Sequence, residues 1–492
     1  MKTTLVSTPT SICRLGVSWR DITPSVGMYH RMWGAAKHDR STGIHRPLRA
    51  SAVVLEPHEA GQTGSRQVLV SLDHCLFRPP EMDEFRSHCC QLLGLDSQRL
   101  TIVFSHTHSS GLLTRERASM PGGDLIGPYL DALPQLIADT VQAAVSNLQP
   151  VTLTYGAADC RMGHHRDAFD EEAGIWVCGF HPDVEWPLPT KLVRATRDDG
   201  SLVATLVSYP CHPTTLAWEN TLVSPDYVGA LRETVEQATG VPCVFLLAPC
   251  GDIGPREGFV GDPNVADRNG RQVAFAALQA LESLPPARQE FQYLGPVISG
   301  ATLGDWRYRP QTPQRLQAAS VFEMRRFEVL LDYLADLPTL DQARQQLTAL
   351  MSEEAAATIR GDESESRRLR ALVERSRRLI ERLQPLPAGQ YPYLVEIWRL
   401  GDVCWIAVDG EPYYALQSEI QQRFSNRTLI FMTLSNGAKA CYLPTREAYE
   451  KSLYQVEVSM LAVGSLERVI EAICEQLQSL PATVSLSLAP NL

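Results

Sequence analysis

Leu100-Thr101-Ile102-Val103-Phe104-Ser105-His106-Thr107-His108-Ser109-Ser110-Gly111 is a run of strand-forming residues that ends in an HxH motif. Apolar and β-branched residues fill its first half, and polar turn residues close it, which predicts a buried strand delivering chemistry at its carboxyl end. Along a strand, side chains two apart point the same way, so His106 and His108 are expected to face one metal or one substrate, unless they are simply surface or hydrogen-bonded histidines. The same text recurs outward: Pro47–Leu55 and Gln67–Leu72 upstream, and Thr152–Gly156, Leu202–Tyr209 and Cys243–Ala248 downstream, all read as strands. Between them Pro128–Asn147, Pro225–Ala238 and Asn264–Leu284 carry helical periodicity. The fold class is α/β in a mixed α+β form, with multi-stranded mixed sheets flanked by helices.

From Gln311 to Pro385 the character changes. Twelve arginines face twelve acidic residues, with one glycine and no histidine or cysteine. Apolar residues from Leu316 through Met324, Phe327 and Leu331 to Leu383 fall near a 3.5-residue spacing, with breaks at Pro338 and Gly361, so the whole segment reads as a helical hairpin or bundle insertion. Balanced charge of this kind marks a solvated packing or self-association arm, and no chemistry is expected there. After it Tyr393–Leu400 and Val403–Val408 read as a hairpin turning at Gly401-Asp402, followed by a helix over Pro412–Phe424, a strand over Thr428–Leu434, a helix over Val463–Leu480 and a last strand over Ala482–Leu488. The expected organisation is one catalytic domain, 12–310 with 386–492, interrupted by 311–385.

Composition narrows the function classes. With 45 basic against 56 acidic residues the net charge is −11, and no local basic face for a nucleic acid is apparent. No apolar run reaches the length of a membrane span. The first ten residues lack the apolar core of a secretory signal, so a cytoplasmic location is expected, or a secreted or periplasmic one if a leader has been removed. The 12 cysteines form no CxxC pair and read as buried thiols.

Further strand ends carry polar residues. Cys211-His212-Pro213-Thr214 follows LVATLVSYP, Asp409-Gly410-Glu411-Pro412 follows VCWIAV, and Cys441-Tyr442-Leu443-Pro444 follows TLIFMTLSN after a short gap. Strand ends in such sheets gather into one crevice, and His106, His212 and Glu411 together make a common hydrolytic zinc shell. Pro249-Cys250-Gly251-Asp252-Ile253-Gly254-Pro255 places two glycines and an aspartate after an apolar strand. Such a turn offers backbone N–H groups and a carboxylate to a ligand above the sheet, or is a tight turn in which Asp252 caps its own backbone. Asp226, in SPDYVG, reads as a helix cap or a supporting acceptor.

Six phrases in order, GVSWRDITP from Gly16, HTHSSG from His106, CHPT from Cys211, SPDYVG from Ser224, GDIGP from Gly251 and YLPTREAY from Tyr442, resemble the neutral/alkaline non-lysosomal ceramidase family. The likeness looks like that family's amino-terminal catalytic domain and runs from about Leu15 to about Tyr454. The resemblance implies a Zn²⁺ ion held by His106, His212, Glu411 and Tyr442, and hydrolysis of the amide bond of an N-acylsphingosine. Gly163-His164-His165-Arg166 resembles the family's GxNR phrase, which implies Arg166 as a substrate-binding residue. Where the family has serine in GDVSP this chain has Gly254, and the immunoglobulin-like carboxyl-terminal domain has no counterpart in the sequence. The expectation is a zinc-dependent amide hydrolase that uses water rather than a serine nucleophile. His108 would move a proton or bind the attacked oxygen; Asp252, Gly251 and Gly254 would line the site. The substrate is a small-molecule or lipid-like amide; a soluble amide or ester suits an acidic chain nearly as well as ceramide. A non-catalytic metal- or ligand-binding relative is the alternative.

Overall fold

Eight strands form the larger sheet: β1 (Thr10–Asp21), β2 (Arg49–Pro57), β3 (Gln67–Leu72), β4 (Leu100–Phe104), β5 (Gln149–Asp159), β6 (Pro189–Thr196), β7 (Leu202–Tyr209) and β8 (Cys243–Leu247). They lie in the order β8-β7-β6-β5-β1-β2-β3-β4 in a computed structural model that describes residues 4–59, 65–184 and 188–481. The middle of the sheet is antiparallel, while β3 with β4 and β7 with β8 are parallel. Parallel neighbours need a crossover, and the helices α1 (Glu81–Leu93) and α3 (Tyr227–Thr239) supply the two. The sheet curls far enough for the Ser71 hydroxyl of β3 to donate to the Phe245 carbonyl of β8 at 2.8 Å. The loops that leave β4 and β8 therefore emerge near each other.

Helices α2 (Ile126–Ser146), α3 and α4 (Pro263–Glu282) cover one face of this sheet, burying Val54, Ile102, Phe104, Ile137 and Leu231 in one core. The other face packs on a second sheet of four strands, β9 (Phe322–Leu331), β10 (Tyr391–Leu400), β11 (Val403–Val408) and β12 (Thr428–Met432), ordered as numbered. Trp398 and Trp405 of this sheet meet Leu15, Val53, Val103 and Leu206 of the first. The outer face of the second sheet carries Ile406, Phe431 and, from helix α7 (Ser465–Ser479), Ile470 and Ile473. The layers run helix, sheet, sheet, helix, the mixed α/β architecture expected from sequence.

One expectation is overturned. Phe322–Leu331 is not helical but an edge strand, paired antiparallel with β10 from Phe322↔Leu400 to Leu331↔Tyr391. Most of its residues are half-exposed or exposed. The arginines and glutamates interleaved in FEMRRFEVLL are those of an outward-facing edge, and β pairing overrides the helix-like spacing of Met324, Phe327 and Leu331. Beyond it α5 (Leu340–Ile359) and α6 (Glu363–Leu383) do form a helical hairpin, turning at Gly361 with φ 73°. Thr339 and Gln342 close a capping box at its start. A long antiparallel hairpin, Gln289–Ser299 with Ala301–Pro310, had no sequence expectation. The strand expected over Ala482–Leu488 lies outside the described residues. No helix among the described residues is long and apolar enough to cross a membrane.

Candidate metal centre

His106 sits two residues past β4, with its backbone at φ 68°. The strand has already ended, so the alternation expected to align His106 with His108 is not what aligns them. A left-handed turn does so instead, bringing the two Nε2 atoms to 3.4 Å. His212 leaves the end of β7, its N–H held by the Ile253 carbonyl at 3.1 Å. Glu411 and Tyr442 come from the second sheet's side and are direct partners in a two-residue parallel ladder, Glu411↔Tyr442 and Pro412↔Leu443. Left-handed residues precede both, Gly410 at φ 67° and Cys441 at φ 58°. A Cβ on Gly410 would come within 2.4 Å of the Cys441 carbonyl oxygen, so the close approach of these turns requires glycine there.

These four side chains converge. Oε2 of Glu411 lies 3.1 Å from His106 Nε2 and 3.0 Å from His212 Nε2, and the Tyr442 hydroxyl lies 3.3 Å from His212 Nε2. His106, His212 and Glu411 are all buried. On the far side of each ring Nδ1 donates to a main-chain carbonyl, of Cys75 for His106 and of Cys250 for His212, each at 2.7 Å. That bond fixes the tautomer and leaves the Nε2 lone pair as the ligand. Two lone pairs and a carboxylate oxygen within hydrogen-bond distance, shielded from water, repel unless a proton or cation sits among them. The donor set therefore fits a divalent metal. A second group, Cys75 with His106 and His108, fits less well: the Cys75 sulfur lies 3.5 Å from the Nδ1 that already serves the Cys75 carbonyl.

The electrostatics agree. Burial, aided by the Arg166 guanidinium, pushes His212 down to about 3, so the imidazole is neutral as a ligand must be. Burial opposes charge on Glu411, but His106 and His212 outweigh it and hold the carboxyl well below its usual range. For His106 burial works downward, while Cys75 and Glu411 prevail and draw it up. Burial, then His106 and His212, push His108 well below the ordinary histidine value, leaving a neutral ring that can donate one hydrogen bond.

Arg166 is brought to the site as the sequence implied. It donates to the Tyr442 hydroxyl at 3.2 Å and to the Gly251 carbonyl at 2.6 Å. The Gly251 turn itself works differently from expectation. Its N–H is spent on the Pro412 carbonyl at 2.9 Å, so it is not offered to a ligand. A Cβ on Gly251 would meet the Glu411 carbonyl at 2.5 Å, so the glycine lets the two ligand-bearing chains touch. Asp252 does not join the cluster. Its carboxylate accepts the Tyr414 N–H at 2.7 Å, and burial pushes it up to about 7. It props the turn rather than facing the metal donors. Gly254 pairs with His164 in a short antiparallel ladder; a Cβ there would lie 3.4 Å from Arg166 and 3.9 Å from the Thr214 hydroxyl. Asp226 caps α3 through Tyr227 N at 2.6 Å and also accepts Leu216 N at 2.8 Å.

The helical hairpin walls a cavity beside this site, a position its reading as a solvated packing arm did not anticipate. Ala371, Glu374, Arg375, Arg378 and Arg382 share one face of α6, by their spacing of three and four, and wall a cavity of about 420 Å³. Opposite them stand Trp33, Trp218 and Phe259, with Trp33 5.2 Å from the His108 ring. A smaller chamber of about 60 Å³, walled by His106, Glu411, Arg78 and Arg382, adjoins it, and His108, Arg382 and Tyr442 line both. Sequence reading missed this wall. The signal was there in the arginine spacing of ERSRRLIER, but charge balance over the whole segment masked it.

Residues 13–245 match the family described as neutral/alkaline non-lysosomal ceramidase, N-terminal. The neutral ceramidase of Pseudomonas aeruginosa is 23% identical over 253 residues, covering 49% of this chain and 37% of that protein. Its crystal structure superposes at a TM-score of 0.65 with 17% identity, over 99% of this chain and 77% of the other. A ceramidase complexed with C2 superposes at 0.63, also at 17% identity, over 99% and 78%. At that identity the structural likeness is one of fold. The resemblance read from the six phrases agrees with the match over residues 13–245.

Proposed function

We propose, from that kinship and from the four converging donors, that the protein is a zinc-dependent hydrolase of an amide bond. The observation that supports it most is the pair of Nδ1-to-carbonyl bonds that free both Nε2 atoms toward Glu411. Zn²⁺ at these residues, with Tyr442 as a fourth or transient ligand, would supply an acidified water and polarise the scissile carbonyl. The chain's own groups do the rest. Arg166, held by the Gly251 carbonyl, keeps the Tyr442 hydroxyl oriented and presents its guanidinium to a substrate oxygen. His108, neutral and facing the cavity, hydrogen-bonds the oxygen under attack or relays a proton to the leaving amine. With glycine at 254 no hydroxyl is offered from that position, so water is the nucleophile and no acyl-enzyme accumulates.

Elemental mass spectrometry on protein purified without chelators tests the metal, with His106→Ala and His212→Ala beside it. About one zinc per chain, lost in both variants, is expected. Folded wild-type protein without a transition metal that also takes up none from added zinc would overturn the reading. Assays on N-acylsphingosines and on soluble amides and esters then separate a lipid substrate from a soluble one.

A further inference from the structure

The cavity has two unlike ends. The aromatic end is built by Trp33, Trp218 and Phe259, with Trp218 and Phe259 stacked at 6.3 Å. The other end, beside the metal donors, is crowded with guanidinium groups. Arg378 is committed, to Glu374 at 3.0 Å and to the Met32 carbonyl. Arg382 is not, and Arg78 reaches the Cys441 side chain rather than a carboxylate. Among the described residues no carboxylate lies within 4.0 Å of either, and Nε of Arg382 is buried without a partner, although the residue is only 6% exposed. The nearest acids are taken: Glu381 turns to Arg117 at 2.8 Å, and Glu411 serves His106 and His212.

Two guanidinium groups line one small chamber, Arg382 buried and Arg78 half-buried, with no described carboxylate in salt-bridge range of either, and crowded cations of this kind are costly to hold. A fold that keeps them there gains when an anion enters, because planar guanidinium forks match carboxylate and phosphate oxygens. A neutral headgroup leaves both cations unpaired.

We propose that the substrate is an N-acyl amide with an anionic group, its apolar acyl part against Trp33, Trp218 and Phe259 and its carboxylate or phosphate on Arg78 and Arg382. This deepens the hydrolase reading and rests on it for the position of the amide, which falls between the two ends beside His108. It makes Arg78 and Arg382 residues that determine specificity, acting on the substrate's charge rather than on the reacting carbonyl. The insertion helix then supplies half of the recognition.

Binding and turnover are measured separately on the full-length protein. Quenching of tryptophan fluorescence reports binding of N-lauroylglycine, N-lauroylphosphoethanolamine and the neutral N-lauroylethanolamine. Both anionic amides, or one of them, should bind at least about tenfold more tightly than the neutral one; which one does so identifies the anion. Arg382→Gln and Arg78→Gln should each erase that preference by weakening the anionic amides about tenfold relative to the neutral one, with thermal melts confirming that the variants fold. Equal affinity for charged and neutral amides, or a preference that survives both substitutions, would overturn the proposal. Turnover of the same compounds, with zinc added, tests the hydrolase reading by itself. Charge preference without turnover would leave the anion site standing and remove the hydrolase; turnover without charge preference would do the reverse.

Discussion

Arg117 fastens α6 to the body of the fold, and its replacement by methionine should loosen the cavity wall without unfolding the protein. Its guanidinium is 2% exposed and meets two carboxylates of α6, Glu374 at 3.0 Å and Glu381 at 2.8 Å. Removing one partner from a buried ion pair costs about 3–5 kcal/mol, because the remaining charge is stranded. Glu374 keeps its bond to Arg378 at 3.0 Å, so only Glu381 is stranded and the low end applies, about 3 kcal/mol. The cost falls on the docking of α6. Native-state hydrogen exchange of the amides over Glu363–Leu383 should therefore accelerate by about a hundredfold in Arg117→Met, with the strands of the larger sheet unchanged. Adding Glu381→Gln to Arg117→Met removes the stranded charge and should recover most of the protection. If exchange in α6 is unaffected by Arg117→Met, or if the double variant is as loose as the single one, the charge argument for the clamp is wrong.

Lys191 is buried with Nζ on the Leu429 carbonyl at 2.6 Å, and burial pushes it down from 10.5 to about 7. Between those values the unfolded chain holds a proton that the folded one has released, so stability rises with pH across that window. The stability of wild type minus that of Lys191→Met should grow by about 2 kcal/mol from pH 7 to pH 9 in urea titrations, and parallel curves would refute the burial argument. Gly254→Ser places its Cβ at ordinary contact distance from Arg166 and Thr214, so urea unfolding should shift by less than about 1 kcal/mol with zinc content unchanged; a larger loss would show that the position tolerates only glycine. Chelation should lower the melting temperature of wild type and leave His106→Ala, already without its metal, unmoved. Equal shifts in both would place the stabilising metal elsewhere.

The strand β4 and the chemistry at its end were legible because five buried residues and an HxH are a local signal, and the same holds for the strand before His212. Glu411 was legible from its place after VCWIAV. Tyr442 was not, since a phenol is rarely a ligand by type, and only the order of the six phrases implied it. What escaped was whatever depends on a distant partner. The Nδ1 contacts of His106 and His212 are to carbonyls of Cys75 and Cys250, and a carbonyl carries no side-chain signature. Asp252 was expected to line the site from its place in a glycine turn after an apolar strand; its carboxylate accepts the Tyr414 N–H, 162 residues away. The strand β9 was misread because an edge strand with charges on its open side mimics a helical repeat, and only its ten-residue pairing with β10 decides between them.

The donors are divided between the two sheets in a way that ties the chemistry to the core. His106 and His212 leave the eight-stranded sheet, and Glu411 and Tyr442 leave the four-stranded side. Neither sheet alone places more than half the set. Their relative position is fixed by the apolar layer around Trp398 and Trp405 and by polar bonds that cross between the sheets, such as the Thr433 N–H to the Leu247 carbonyl at 2.9 Å. A ligand that binds only the assembled site stabilises the assembled state by mass action, by about 4 kcal/mol at a thousandfold excess over its dissociation constant. A buried Glu411 with two imidazoles would otherwise be a liability, since stranded charge is worse than an apolar contact of equal size. A bound cation would turn that liability into a cross-link between the sheets, and the same packing that buries the tryptophans sets the distances between the donors.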